Sequence, residues 1–100
     1  MLSGGGMMRD SIICNDKRCF VCGCPVGLHR HHCWHGISNR KNADQDGLWV
    51  YLCFAHHEGM EGVHNNRPFD VMLMKFAQER WEQIYGERED FRKRYGKSYL

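Results

Sequence analysis

The sequence contains no long apolar run and no marked excess of either charge. No stretch approaches the roughly 18 consecutive apolar residues that a membrane-spanning helix needs. Residues 1–10 hold the run Gly4-Gly5-Gly6 and no apolar segment of the kind that marks a secretory signal. A reducing cytoplasm is therefore the expected compartment. Fourteen basic and twelve acidic side chains leave a net charge of only +2. Residues 1–66 sum to zero, and residues 67–100 carry the whole excess. That balance lacks the strong basic signature of a histone or a nucleic-acid-binding arm, so a nucleic-acid role has to come from a specific site. Length is also limiting. One hundred residues with two prolines make one small domain and exclude a multidomain enzyme or a solenoid array. A chain this short buries only about 60–70% of its unfolded surface, so its core is marginal.

What is present is concentrated. Apolar residues at 42% and charged residues at 26% are ordinary for a globular protein and argue against disorder. Six cysteines and seven histidines are not ordinary, and all of them lie between Cys14 and His64. In a reducing compartment such cysteines act as metal ligands rather than disulfides. A metal would staple a core that is too small alone.

The chain divides into three parts: a flexible leader over 1–13, a zinc-stapled core over 14–66 and a helical extension over 67–100 that packs on the core. Within the core, residues 37–47 are polar and are expected to form a loop. Residues 48–52 are rich in aromatic and β-favouring side chains and predict a strand. After Pro68 the apolar period changes. Phe69, Met72, Leu73, Phe76, Ala77, Trp81 and Ile84 recur at steps of three and four, the stripe of an amphipathic helix. Pro68 and Asp70 suit its first turn, and Gly86 its end. Glu87 to Tyr95 predicts a second short helix. The stripe packs on its own domain or on a second subunit, which would make a homodimer. Arg92-Lys93-Arg94 fits a solvated helix face better than a phosphate contact.

Cys19-Phe-Val-Cys22-Gly23 has the form of a metal knuckle, with a glycine that allows the tight turn. A second pair, Cys53-x2-His56, follows at the end of the predicted strand. Together Cys19, Cys22, Cys53 and His56 make a tetrahedral Cys3His zinc set of the closed, structural kind. Binding of such an ion contributes on the order of 10–16 kcal/mol, more than a small core nets. Cys24 stands next to the knuckle and could replace one ligand; Cys14 and Cys33 also compete. Otherwise these three are small buried hydrophobes. A Cys2His2 finger fits badly, because only eight residues separate Cys22 from His31. Two catalytic zinc motifs also fail. Glu61 stands where His-Glu-x-x-His needs its second histidine, and no Pro-Cys-x-x-Cys follows His56-His57-Glu58.

Histidines outside that set gather in two places, His31-His32 and His57 with His64. Pairing of the two zinc half-sites would bring these together. The order Cys-x2-Cys, His31-His32, then a strand ending in Cys53-x2-His56-His57 resembles the zinc-containing HNH endonucleases of the ββα-metal fold. The resemblance covers residues 19–64, about half the chain. Residues 47–53, with His56-His57 and Gly62-Val63-His64, are also similar to small phage-encoded proteins of this group. The implied fold class is α+β, a small zinc-stapled ββα-metal (HNH-like) domain with a C-terminal amphipathic helix. The implied activity is metal-dependent hydrolysis of DNA phosphodiester bonds, in phage or mobile-element DNA processing or recombination within a bacterial cytoplasm.

By that resemblance His32 is the general base, while His31 and His57 hold the catalytic ion. His64 could add a ligand, although its spacing is looser than the family's His-x3-His and Gly59 and Gly62 interrupt any helix between. The family's middle Asn, which braces the loop of the base, is missing. That region reads Asp44-Gln45-Asp46-Gly47-Leu48, so Asp46, or Asn39 or Asn42 from the loop, would have to serve. The chemistry agrees with the roles. A neutral imidazole, with an ordinary pKa near 6.5, takes a proton from water near neutral pH. A divalent ion, Mg2+ or another, stabilises charge on the phosphate and the departing oxygen. Arg40 or Lys41 would hold a neighbouring phosphate. His29 and His35 are expected to be structural or exposed. The competing reading is a non-catalytic zinc-stapled module that binds nucleic acid or protein, for example an inhibitor. A redox thiol protein is disfavoured, because no Cys-x2-Cys here sits in a βαβ pattern.

Overall fold

Two short strands meet across a polar insertion. The computed structural model describes residues 9–60 and 62–100. Leu28–His32 forms β1 and Trp49–Cys53 forms β2. They pair antiparallel, with Leu28 opposite Cys53 and His32 opposite Trp49. Side chains alternate across the ribbon. His29 and His31 therefore share the face of Val50 and Leu52, while Arg30 lies over the rings of Trp49 and Tyr51 on the other. Helices supply the remaining structure, so the fold is α+β. Among the described residues no helix is long and apolar enough to cross a membrane.

The insertion is not the loop that its composition suggests. Residues Ile37–Asp46 form a helix, α1. Its sequence shows no apolar stripe because it buries only Ala43 and Asp46. Two glycines set its limits. Gly47 adopts a left-handed φ of 78° and donates its N–H to the Ala43 carbonyl at 2.8 Å. A Cβ on Gly47 would collide with the Asp10 carbonyl, so that position requires glycine.

Asp46 explains why α1 is polar yet docked. Its carboxylate accepts from Trp81 Nε1 at 2.9 Å, from Tyr95 Oη at 2.8 Å and from Arg94 Nε at 2.6 Å. These donors come from α3 (Arg67–Ile84) and α4 (Arg88–Tyr95). Asn39 and Asn42 add bonds to the carbonyls of Tyr95 and Arg94. The Asn66 side chain caps α3 by accepting from the Phe69 N–H. Leu73, Met74, Ala77 and Trp81 face inward, with Phe91, Tyr95 and Trp34 completing the core. The expected stripe is thus displaced in part. Met74 and Gln78 are buried, while Met72, Phe76 and Ile84 are exposed. Gln78 can sit inside because it bonds to Ser98 Oγ, Glu82 and the Tyr99 N–H. Phe76 meets the knuckle residue Phe20 edge-on at 5.8 Å, so α3 packs on its own domain. It ends at Ile84, and α4 follows from Arg88.

Part of the expected leader also belongs to the core. Residues 1–8 lie outside the described residues, but Ser11 is buried. Ser11 Oγ donates to the Trp49 carbonyl at 2.6 Å, and the Ile12 N–H donates to the Gly47 carbonyl at 2.9 Å. Further along, the Phe20 N–H donates to the Tyr51 carbonyl at 2.8 Å. Side-chain oxygens and backbone amides here satisfy strand carbonyls that a third strand would otherwise take.

Candidate metal centres

The knuckle is built by local geometry. Gly23 takes a left-handed φ of 78° and donates its N–H to the Cys19 carbonyl at 2.8 Å. The Val21 N–H points at Cys19 Sγ, 3.4 Å away. Cys53 closes β2, and His56 sits in the following helix α2, Phe54–His57. Cys22 and Cys53 sulfurs are 3.8 Å apart, Cys53 Sγ and His56 Nδ1 3.3 Å, Cys19 Sγ and His56 Nδ1 3.7 Å. All four donor atoms lie within 4.8 Å of one another, so this Cys3His group can hold a metal ion.

The electrostatics suit a thiolate at Cys19. Burial alone would push the Cys19 thiol up, but N–H groups of Cys53, Cys22 and Val21 outweigh it and bring it down to about 6. Cys14, Cys24 and Cys33 lie outside the group. Cys33 is fully buried and raised to about 12 by desolvation, then by the charge of Asp70; it behaves as a small apolar side chain.

A second group is made only of imidazoles. His31 from β1, His57 from the end of α2 and His64 from the 3-10 turn Val63–Asn65 bring their ring nitrogens within 4.8 Å. His57 Nε2 and His64 Nε2 are 3.1 Å apart. His31 is buried, and its Nε2 is an orphan. Among the described residues it is the one buried side-chain nitrogen or oxygen without a hydrogen-bond partner. Desolvation first, then the adjacent His57, His64, His35 and His32, pull the His31 pKa down to about 3. His57 is lowered by the same causes, burial before His64 and His29, with Glu58 opposing. Both rings are therefore neutral near pH 7 and can present lone pairs to a cation.

This donor set fits a divalent ion, and its chemistry narrows which one. Imidazole nitrogens suit zinc, nickel, copper or iron, whereas Mg2+ wants oxygen ligands and keeps its water. Three histidines with no carboxylate suit a transition ion better than Mg2+.

The imidazoles open on a cleft of about 340 Å³ lined by Arg30, His31, His32, His35, Arg40, His57 and His64, among others. His32 reaches this cleft from the other face of the strand. Its Nε2 lies 2.6 Å from Asp44 Oδ1 on α1. None of the expected braces makes that contact. Asp46 serves α3 and α4, while Asn39 and Asn42 reach the carbonyls of α4. Treating 37–47 as a loop hid Asp44. A helix there would have placed Arg40 and Asp44, four residues apart, on one face. Arg40 lines the cleft, but Lys41 is exposed and outside it, because successive helical residues point about 100° apart.

His35 is structural and half-exposed, as expected. It bonds to both oxygens of buried Asp70, at 2.9 and 2.8 Å, and sits at the rim of the cleft. His29, expected to be structural or exposed, has its Nδ1 2.9 Å from His57 Nδ1. No family model, curated protein or solved structure matches the chain.

Proposed function

We propose that the chain is an HNH-type endonuclease of the ββα-metal kind, cutting DNA phosphodiester bonds in phage or mobile-element DNA processing. One observation carries the reading: the buried, unpartnered His31 Nε2 faces His57 and His64 in the cleft that also holds His32. Strand β1, strand β2 and helix α2 follow in the order this reading needs, with α1 as the insertion between the strands. Zinc on Cys19, Cys22, Cys53 and His56 is the structural ion.

His31, His57 and His64 would hold the second ion, which supplies charge stabilisation at the phosphate and departing oxygen. The chain itself handles the proton. Asp44 accepts the Nε2–H of His32 and so leaves Nδ1 as the base. Nδ1 takes the proton from the attacking water. The carboxylate fixes the ring and stabilises the imidazolium that forms. Arg40, on the same helix face as Asp44, binds a phosphate oxygen.

Plasmid nicking tests this, with Mn2+, Ni2+, Zn2+ and Mg2+ compared and zinc content measured. Wild type should nick with a transition ion, and His32→Ala should lose about 10²- to 10⁴-fold in rate. Equal nicking by both proteins would remove His32 from the chemistry. An inert wild type carrying one zinc per chain would favour a non-catalytic binding module.

A further inference from the structure

His57 has a donor set on each side of its ring. Nε2 faces His64 and His31, and Nδ1 faces His29 Nδ1 at 2.9 Å. Glu58 Oε2 stands 3.4 Å from His29 Nδ1 and 3.8 Å from His57 Nδ1. We propose that His29 Nδ1, His57 Nδ1 and Glu58 Oε2 form a second, outer site for a divalent transition ion of the zinc class, sharing His57 with the inner set.

The spacing supports this. Ligand atoms at about 2.0–2.2 Å from a tetrahedral ion lie roughly 3.3–3.6 Å apart. The outer separations of 2.9, 3.4 and 3.8 Å bracket that value. The two distances to Glu58 also fall within the 3.3 to 3.8 Å range found in the Cys3His group. A hydrogen bond between the two rings uses one proton and leaves the carboxylate oxygen without a short contact. A cation satisfies all three atoms at once. Two imidazoles and one carboxylate are a donor set that zinc accepts, with its fourth position open.

The framework is firm as well. His29 is held in β1, and the Glu58 N–H closes α2 on the Phe54 carbonyl at 2.8 Å. Side-chain exposure of 37% at His29 and 51% at Glu58 leaves the site open to ions from solvent.

Sharing has a consequence. A neutral imidazole offers one ring lone pair, so His57 serves one ion at a time. An ion on the outer set withdraws His57 from the cleft and leaves His31 and His64 incomplete. The ring therefore selects between an ion beside His32 and an ion away from it. This rests on donor geometry alone and stands apart from the nuclease reading.

The test counts ions. Zn2+ is titrated calorimetrically into protein whose Cys3His group already holds one equivalent. Wild type should take one further ion per chain, and His57→Ala none. His64→Ala, which breaks only the inner set, should still take one. Adding His29→Ala or Glu58→Gln to His64→Ala should then weaken that binding at least about tenfold. Retention of the Cys3His ion reports that each variant is folded. The outer site is overturned if His64→Ala binds no further ion, or binds one indifferent to His29→Ala and Glu58→Gln. Two further ions on wild type would overturn the sharing.

Discussion

His31 and His32 are neighbours in one strand with opposite surroundings. His31 turns into the core among other imidazoles, while His32 leans on a carboxylate. Burial of neutral His31 couples folding to pH. Its folded pKa, about 3, lies below the ordinary 6.5, so the unfolded chain binds the proton first. The stability is full above about pH 6.5 and declines as pH falls toward 3. The slope from this one group reaches at most about 1.4 kcal/mol per pH unit. Urea melts from pH 7 to 4.5, with the inner set metal-free, should show wild type losing more stability than His31→Phe. Parallel losses would mean that His31 is not the group responsible. The Asp44 partner makes a separate prediction. Asp44→Asn leaves no ligand changed, so metal content should hold, yet it no longer enforces the Nε2–H tautomer of His32. On the proposed nuclease reading, nicking should fall on the order of 10²-fold or more, and a variant as active as wild type would remove Asp44 from that proposal.

At the scale of elements, α1 shows where sequence reading ended. Helices are recognised by an apolar stripe, and this one has none, because its anchor is a carboxylate. Asp46 gathers Trp81, Arg94 and Tyr95, residues 35 to 49 positions away, and no local pattern announces such a partner. The Asp44 brace was lost for the same reason. By contrast, the strand at 48–52 and the two C-terminal helices were legible from composition and period, and the Cys3His group from ligand spacing. The stripe of α3 was only half legible, because Gln78 earned its buried place through hydrogen bonds rather than apolarity. Asp46→Ala should cost about 3 kcal/mol or more, since it strands the Arg94 charge and two donors at once. Chemical denaturation measures it. Removing the α3 cap with Asn66→Ala should cost only about 1 kcal/mol, measured the same way.

At the scale of the molecule, α2 joins the two histidine-bearing groups, His56 belonging to the Cys3His set and His57 to the open one. An ion on the Cys3His group would therefore hold the frame on which the open group is built. Its binding energy, on the order of 10–16 kcal/mol, matches or exceeds the whole net stability of a small domain. A strong chelator should abolish the helical circular dichroism in one cooperative step, and stoichiometric Zn2+ should restore it. Persistence of the signal would mean that the apolar core suffices. Cys33→Ala should retain one zinc per chain, whereas Cys19→Ser should not. The bonds from Ser11 and Phe20 to the carbonyls of β2 reach further than local order. A two-stranded ribbon has a bare margin on each side, and an uncovered margin recruits strands from other molecules. Residues 9–20 shield one margin with a side-chain hydroxyl and a single amide, too irregular a pattern for another copy to extend. A chain trimmed of residues 1–13 should thus keep its ligands and yet self-associate, exposing a sticky seam that the native protein conceals.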